Sequence, residues 1–310
     1  MATKKRKAKA RRPRKDIYDE VTAAIIADLE KGVAPWAMPW KTDGMPMQLH
    51  ANGKTKNAYR GVNQILLHIA AMKGDYQLPV WVTYNQAQDM GGHVKADEKS
   101  AGYIVFWRSI SVKDRDAEGD KTKTIPFAKY SAVFNIEQTT VEREKYEALL
   151  PKPRTPLELQ SHTRIDDIEA FIASTGATFD EGGDRAYFRP TSDNIRVPEL
   201  GKFSSVGDYY ATIFHEMVHW TSAEKRCDRK LGARFGDDAY AAEELVAELG
   251  AAFLCAAQGI PGKLQHAEYI GHWLKVLKGD DHAIFTATNR AQAAVDFLME
   301  AAATEIKEAA

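Results

Sequence analysis

The sequence predicts an α+β protein of two domains, the second mostly helical with a small antiparallel sheet. Three observations support this prediction. The chain has 310 residues, whereas a single domain usually holds roughly 100–200. A polar segment at 151–156 with three prolines is typical of a stiff linker. Helical and strand patterns alternate before this segment, and helical patterns predominate after it. We therefore expect domains at 16–150 and 161–310, joined by a linker at 151–160.

In the first half, helical periodicity and runs of β-branched or aromatic residues define the elements. They predict helices at 16–31 and 57–72, a helical turn at 85–90, a short helix at 142–150, and strands at 78–84, 103–112 and 124–136. Gly32 ends the first helix, and a charged loop at 113–123 joins the last two strands. Trp81 and Trp107 lie on predicted strands, so we expect both in the core.

In the second half, a helix at 165–175 is followed by three short strand patterns and then by helices. The strands are predicted at 177–180, 185–189 and 194–197, and the turn at 181–184 predicts that the first two form a hairpin. Helices are predicted at 206–220 and 239–258, where Gly259 ends the second.

Charge is distributed unevenly along a chain whose formal net charge is −1. Residues 1–15 hold nine Lys or Arg and no acid, which is typical of a disordered basic arm that contacts nucleic acid; a solubilising tail is the alternative. The net charge is −2 over 16–150 and −8 over 151–310. No apolar run is long enough for a transmembrane helix, so no membrane partner is expected. The basic N-terminus lacks the apolar core of a secretory signal, which indicates a cytoplasmic protein.

The strongest motif is the HExxH sequence at 215–219. A capping-box pattern at 205–208 predicts that a helix begins there and continues through the motif. His215 and His219 then lie one turn apart on one helix face and can share a metal ion. Glu216 lies on the same turn, where it can act as a general base.

A catalytic zinc site takes three protein ligands and leaves one position to water. The extended HExxHxxGxxH form is excluded, because positions 222 and 225 hold Ser and Lys. On the later helix at 239–258, Glu244 and Glu248 are one turn apart and face the same way. Either one can ligate the metal while the other orients a ligand histidine. Glu243 points about 100° away on that helix and is expected to be solvated.

These residues predict water attack on a carbonyl carbon that is polarised by one zinc ion or another divalent metal. Glu216 is expected to take the proton of the water and to pass it to the leaving amine. The chain is therefore interpreted as a zinc-dependent metallopeptidase. Tyr240 and His282 are candidates for the group that stabilises the oxyanion.

Residues 31–130 carry a net charge of +5 and interleave basic with aromatic side chains. This combination is typical of proteins that bind single-stranded DNA, because bases stack on aromatic faces while cations follow the phosphates. The residues expected to contact DNA are Trp36, Trp40, Lys54, Lys56, Tyr59, Arg60, Asn63 and Gln86. The alternative for the first two is an anchoring role in a proline-rich loop.

Both halves of the chain resemble one known family. The segments 209–221 and 243–254 are similar to the zincin-like metallopeptidase domain of ArdC-type antirestriction proteins. The tryptophans at 36 and 40, each preceded by proline, and the segments YRGVN at 59–63, WVTYNQA at 81–87 and VFNIEQT at 133–139 are similar to that family's N-terminal single-stranded-DNA-binding domain. The resemblance covers roughly residues 16–300.

The resemblance implies that Glu244 is the third metal ligand and that Glu248 orients a ligand histidine. It also implies a protein of plasmids, conjugative elements or phages that binds single-stranded DNA and protects incoming DNA from host restriction. A host protein on that DNA is the expected peptidase substrate. Two alternatives stay open: a DNA-masking protein whose metal only stabilises the fold, and a peptidase that degrades proteins crosslinked to DNA.

Overall fold

Helices and strands alternate through the first half of the chain, and helices dominate after residue 205. The computed structural model describes residues 17–32, 34–36, 49–113, 122–150, 154, 161–230, 238–260 and 269–308. The helices are α1 (Ile17–Leu29), α2 (Val62–Gly74), α3 (Tyr84–Asp89), α4 (Asp166–Ser174), α5 (Val206–Trp220), α6 (Asp238–Gln258), α7 (Ile270–Gly279) and α8 (Ala283–Glu308). The strands are β1 (Ala51–Asn52), β2 (Val80–Val82), β3 (Gly102–Lys113), β4 (Thr122–Asn135), β5 (Thr178–Glu181), β6 (Tyr187–Arg189) and β7 (Asn194–Val197). No helix within these ranges has the length and hydropathy needed to cross a bilayer.

The N-terminal sheet has the strand order β1-β2-β4-β3. β4 pairs antiparallel with the whole of β3, from Gly102 opposite Val133 to Lys113 opposite Thr122, which confirms the two long predicted strands. β2 pairs antiparallel with β4, and the two-residue β1 pairs parallel with β2. Sequence patterns do not predict β1, because two residues are too few to show an alternation.

The C-terminal sheet has the order β5-β7-β6, so the predicted hairpin between the first two strands is wrong. β7 lies between them, parallel to β5 and antiparallel to β6. The physical reason is burial: Ile195 and Val197 of β7 are fully buried, while β5 and β6 are largely exposed. The strand with two buried aliphatic side chains therefore takes the centre. The small sheet is mixed rather than antiparallel, as a consequence of the parallel β5–β7 pair.

The predicted short helix at 142–150 is also wrong. Two 3-10 turns, Arg143–Lys145 and Glu147–Leu149, occupy this segment, and none of their residues is buried. Tyr146, Leu149 and Leu150 pack against a small apolar cluster but stay only partly buried, which is little burial to stabilise a short α-helix.

One hydrophobic core extends across the two halves of the chain. Ile17, Val21 and Ile25 of α1 belong to the same buried cluster as residues of α5, α6, α7 and α8. The hydroxyl of Thr22 donates a hydrogen bond of 2.7 Å to the main-chain oxygen of Asp281. The first helix is therefore packed on the C-terminal helices. The boundary at 151–160 stays a prediction, since only residue 154 of that segment is described, and the basic arm at 1–15 lies outside the described residues.

Candidate metal centre

The helix that carries the HExxH motif is buried on nearly all sides. The Ser205 hydroxyl caps α5 by accepting a hydrogen bond of 3.1 Å from the main-chain N–H of Asp208, as the sequence predicts. α6 crosses α5 at close range, because Gly250 leaves room for Val218. A Cβ built on Gly250 would lie 2.7 Å from Val218 Cγ2. This close approach brings the glutamates of α6 to the histidines of α5.

His215, His219 and Glu244 converge on one point. The two Nε2 atoms are 3.1 Å apart. Glu244 Oε2 lies 3.5 Å from His215 Nε2, and Glu244 Oε1 lies 3.4 Å from His219 Nε2. Ligand atoms at about 2.0–2.2 Å from a tetrahedral zinc are separated by roughly 3.3–3.5 Å. The three side chains therefore fit one such ion, and Glu244, rather than Glu248, is placed to complete the ligand set.

Each candidate ligand histidine has a buried carboxylate beside its other ring nitrogen. Glu248 Oε1 lies 3.7 Å from His215 Nδ1, and Glu243 Oε1 lies 3.5 Å from His219 Nδ1. A carboxylate at Nδ1 favours the tautomer that leaves Nε2 free to bind a metal. Glu248 thus takes the orienting position, and Glu243 takes a second one on the other histidine.

The prediction that Glu243 is solvated is wrong, since its side chain is only 5% exposed. Its carboxylate accepts hydrogen bonds from the Nε (3.1 Å) and Nη2 (2.9 Å) of Arg229. That guanidinium is equally buried and also donates to Thr221 Oγ1 and to the main-chain oxygen of Val218. On an isolated helix, Glu243 and Glu244 point in directions about 100° apart. In the fold, α5 lies so close to α6 that Glu243 lies beside His219 and Glu244 lies beside both histidines.

Several buried negative charges surround this point and shift the pKa of their neighbours. Burial lowers the pKa of His219, but Glu243 and Glu244 outweigh this effect and raise it to about 10. Burial raises the pKa of Glu244, but the two histidines outweigh it, so the net pKa lies well below its usual range. The cluster therefore stabilises a positive charge among its nitrogens, which a bound cation supplies.

A cavity of about 290 Å³ opens onto these residues. Glu216 lines it, and so do Tyr187 of β6, Tyr240 and Tyr269. The hydroxyls of Tyr240 and Tyr269 are 3.5 Å apart, and burial together with the Tyr269 hydroxyl raises the pKa of Tyr240. Tyr240 thus keeps its proton at neutral pH and can donate it in a hydrogen bond. Sequence reasoning overlooked Tyr269.

His282, the other candidate for oxyanion stabilisation, does not line this cavity. Its Nδ1 lies 2.5 Å from Asp281 Oδ1, and its ring stacks on Tyr18 at 3.8 Å between centroids. These contacts tie His282 to α1, at the start of α8. Of the two candidates, therefore, only Tyr240 is next to the HExxH residues.

Some residues expected to contact DNA make contacts inside the fold. Trp36 is 2% exposed and packs edge-on against Trp273 at 5.5 Å between ring centroids, so it presents no open face for a base. Asn63 Nδ2 donates to the main-chain oxygen of Val105, and Asn63 Oδ1 accepts from its N–H, both at 2.7 Å. Asn63 thus pins α2 to β3. Trp40 lies outside the described residues.

Gln86 and Tyr59 also take part in internal hydrogen bonds. Gln86 Oε1 accepts from the N–H of Thr83 at 2.9 Å, which closes the capping box of α3. Asn52 Nδ2 donates to both Gln86 Oε1 (3.2 Å) and the Tyr59 hydroxyl (2.9 Å). Burial raises the pKa of Tyr59. These two side chains therefore order the loop that follows β1.

The basic candidates are on the surface. Lys54 pairs with Asp89, Lys56 contacts a main-chain oxygen, and Arg60 pairs with Asp296 of α8. The Arg60 side chain is nevertheless 64% exposed. Trp81 is fully buried, as predicted, but Trp107 is 43% exposed, so its expected core position is wrong.

Comparisons with known proteins agree with both halves of the sequence. Residues 15–134 match the N-terminal domain of anti-restriction factor ArdC, and residues 166–290 match a zincin-like metallopeptidase. The chain is 37% identical over 290 residues to the uncharacterized protein y4eC of Sinorhizobium fredii, covering 91% of each. It is 35% identical over 315 residues to the DNA primase TraC of Escherichia coli, of which it spans only 28%.

Two solved structures are also similar. The metal-free crystal structure of the antirestriction ArdC protein from the R388 plasmid superimposes with a TM-score of 0.77 at 36% identity, covering 93% of this chain and 98% of that one. The Mn(II)-bound structure of the same protein gives 0.74 at 34% identity, with the same coverage. The matches confirm the two-domain α+β class, and the chain belongs to the family of ArdC-type antirestriction proteins.

Proposed function

We propose that this chain is an antirestriction protein that binds single-stranded DNA through its N-terminal half and hydrolyses a peptide bond at its C-terminal site. The observation that carries the peptidase part is the convergence of His215, His219 and Glu244 within 3.1–3.5 Å of one another. Glu216 lines the same cavity. The family relationship and the name of the R388 relative support the antirestriction part.

His215, His219 and Glu244 would hold the ion, for which we propose zinc. Two imidazoles and one carboxylate suit zinc, and Mn(II), found in a relative, accepts the same kinds of donor. When bound, a divalent ion supplies Lewis acidity that polarises a peptide carbonyl and makes water more acidic.

The chain's own side chains handle the proton and the developing charge. The Glu216 carboxylate takes a proton from the attacking water as the new C–O bond forms and the carbonyl oxygen gains negative charge. It then gives that proton to the leaving nitrogen as the carbonyl re-forms and the peptide C–N bond breaks. The Tyr240 hydroxyl donates a hydrogen bond to the carbonyl oxygen as its charge grows. Tyr187 and Tyr269 line the same cavity beside these groups.

Glu216→Gln tests the peptidase part, because it removes the base and leaves the three ligands in place. We expect this variant to retain its metal but to fail in protecting unmodified DNA that enters a restricting bacterial host. Glu224→Gln is the matched control, since Glu224 is an exposed glutamate just after the same helix. Full protection by Glu216→Gln would remove the peptidase from the function and leave a masking protein with a structural metal.

Binding of single-stranded oligonucleotides at increasing salt tests the DNA part. The proposed site of action is the cytoplasm of a host that receives a mobile element, where the DNA enters as a single strand. Deleting residues 1–15 removes nine positive charges, so the slope of log K against log salt is expected to flatten. A wild-type protein that binds no oligonucleotide would end this part of the proposal.

The substrate that we propose for the peptidase is a host protein bound to that DNA. A DNA–protein crosslink is the alternative. The metal-loaded protein is incubated with a restriction enzyme that is either bound non-covalently or crosslinked covalently to single- or double-stranded DNA. Cleavage of the non-covalently bound enzyme supports the first substrate, and cleavage of the crosslinked enzyme alone supports the second.

A further inference from the structure

A second cavity, of about 360 Å³, lies where the amino end of α2, strand β3 and helix α8 meet. This volume is in the range of small-molecule sites, roughly 300–1,000 Å³. Its lining includes two aromatic residues, three carboxamides and one Arg–Asp ion pair. We propose that this cavity holds one base of a single DNA strand, stacked on the indole of Trp107. The proposal rests on the proposed single-stranded-DNA binding and assigns a location to it.

Trp107 is held in one orientation while much of its surface stays open. Its Nε1 donates to the Tyr18 hydroxyl at 3.4 Å, and its ring meets Phe285 of α8 edge-on, with centroids 6.1 Å apart and planes at 85°. The side chain is still 43% exposed. An aromatic ring that is fixed before binding loses little conformational entropy when a base stacks on it, so Trp107 is suited to this role.

Asn289 of α8 supplies a hydrogen-bonding group beside this ring. Its side chain is exposed, lines the cavity and makes no hydrogen bond with another described residue. Its Oδ1 lies 3.1 Å from the point where a Cβ on Gly61 would be. A carboxamide offers both a donor and an acceptor, as the edges of nucleobases require. Gln292 is already engaged, because it accepts from the N–H of Gly61 at 3.1 Å.

The charges of the lining favour a neutral base over a phosphate in the interior. Arg60 and Asp296 are the charged residues among those lining the cavity, and they pair with each other. Their charges cancel, so the cavity does not concentrate anions. Asp296 accepts from the two terminal guanidinium nitrogens of Arg60 and from Gln292 Nε2. The remaining N–H groups on the exposed side of Arg60 can meet a phosphate that follows the bound base.

A single strand, rather than a duplex, is the occupant that this arrangement suits. Bases of a duplex are stacked and paired, whereas a base of a single strand is free to leave its neighbours at low cost. The cavity, of about 360 Å³, offers the exposed indole of Trp107 as a platform for a base. The site is therefore expected to accept many sequences, with some preference set by Asn289.

The test is an oligonucleotide that carries the fluorescent base 2-aminopurine, titrated with wild-type protein and variants. Trp107→Leu is expected to weaken binding by about 5- to 150-fold, which corresponds to the loss of one stacked base, and to lessen the quenching of 2-aminopurine. Trp107→Phe restores a ring and should recover most of both signals. The salt dependence of Trp107→Leu should equal that of wild type, because no phosphate contact is lost.

Two controls separate the proposal from a purely structural role of Trp107. Tyr84→Leu removes another aromatic side chain that is 52% exposed and is not among the residues that line the cavity, and this variant should bind normally. Asn289→Ala leaves the ring untouched and should reduce the differences in affinity among dA, dC and dT oligonucleotides. Thermal midpoints identify any variant that is simply unfolded.

The outcomes distinguish this inference from the proposed function. If wild-type protein binds no single strand, the DNA part of the proposed function fails, and the cavity assignment fails with it. If wild type binds while both Trp107→Leu and Asn289→Ala bind as tightly and quench as strongly, the cavity assignment alone is overturned.

Discussion

The carboxylate of Glu243 lies 3.5 Å from Nδ1 of His219, on the side of the ring opposite the nitrogen that faces Glu244. Glu243 is itself held by the buried guanidinium of Arg229. The Glu243 carboxylate therefore connects Arg229, which follows α5, to His219, a candidate metal ligand. Changes at Glu243 should affect both the stability of the protein and its affinity for metal.

Glu243→Ala is expected to destabilise the protein by about 3–5 kcal/mol, because Arg229 is left as an uncompensated buried charge. Metal affinity should fall by about 10–100-fold, since His219 loses its orienting partner. Urea unfolding and metal titration measure the two effects. The double variant Glu243→Ala with Arg229→Met removes both charges and should recover part of the stability but not the metal affinity. Equal stability of the single and double variants would contradict this account.

Glu244→Gln and Glu248→Gln should differ in kind. The first removes a ligand, so metal analysis should find less than one ion per chain even at high metal concentration. The second leaves the ligands and removes only the partner of His215 Nδ1, so affinity should fall by about 10–100-fold while the stoichiometry at saturation stays at one. The reverse result would exchange the roles of the two glutamates.

Gly250→Ala should disturb the contact between α5 and α6. The new Cβ would lie 2.7 Å from Val218 Cγ2, and overpacking of this kind costs about 1–3 kcal/mol. The free energy of unfolding from a denaturant titration measures the cost. Adding Val218→Ala makes room for the methyl group, so the double variant should regain stability if the clash is the cause. If Gly250→Ala alone is as stable as wild type, the contact between α5 and α6 accommodates the extra methyl group, and the close approach does not require glycine.

The metal-free protein should lose stability as the pH rises. The carboxylates beside His219 raise its pKa to about 10 in the folded chain, against about 6.5 in an unfolded one. A raised pKa contributes stability that is complete below the unfolded value and is lost as the pH rises through the folded value. Thermal midpoints of chelator-treated protein should therefore fall between about pH 7 and pH 10. His219→Gln should flatten this dependence; a midpoint that rises over the same interval would refute the assignment.

Asn63→Ala should act on stability rather than on DNA binding. The side chain of Asn63 satisfies both the N–H and the carbonyl of the buried Val105, and each unsatisfied buried group costs about 1–3 kcal/mol. Unfolding experiments should show this loss, while the salt slope of oligonucleotide binding in the folded variant stays unchanged. A normal stability combined with weakened DNA binding would return Asn63 to the group of DNA contacts.

Tryptophans show where sequence patterns are insufficient. Trp36 stands in a proline-rich stretch that is typical of an exposed loop, yet it is buried against Trp273. Trp107 stands on a strand whose pattern predicts the core, yet nearly half of its side chain is exposed. The surroundings of these two tryptophans include Trp273 of α7 and Phe285 of α8. Both helices lie more than 160 residues away in sequence, so a local sequence pattern cannot predict the burial of either tryptophan.

The residues around Glu243 in the sequence indicate that its side chain is buried, although the sequence analysis predicts that it is solvated. Its neighbours Ala241, Leu245, Val246 and Ala247 are buried and cover most of the helix circumference, so a glutamate among them is expected to be buried as well. The burial of its partner Arg229 cannot be predicted in this way, because Arg229 lies in an irregular segment between two helices and has no helical periodicity around it.

The sequence by itself determined the family, the two-domain α+β class, the helix that carries the HExxH motif and the pairs of residues that share a helix face. These features depend on spacing within one element, and helical geometry converts a separation of four residues into a common face. Only the tertiary structure decided that Glu244 lies within 3.5 Å of Nε2 of both histidines, that Glu243 faces His219, and that β7 takes the centre of its sheet. Those results depend on how closely α5 and α6 cross and on which surfaces are buried, and both are set by contacts between residues far apart in the chain.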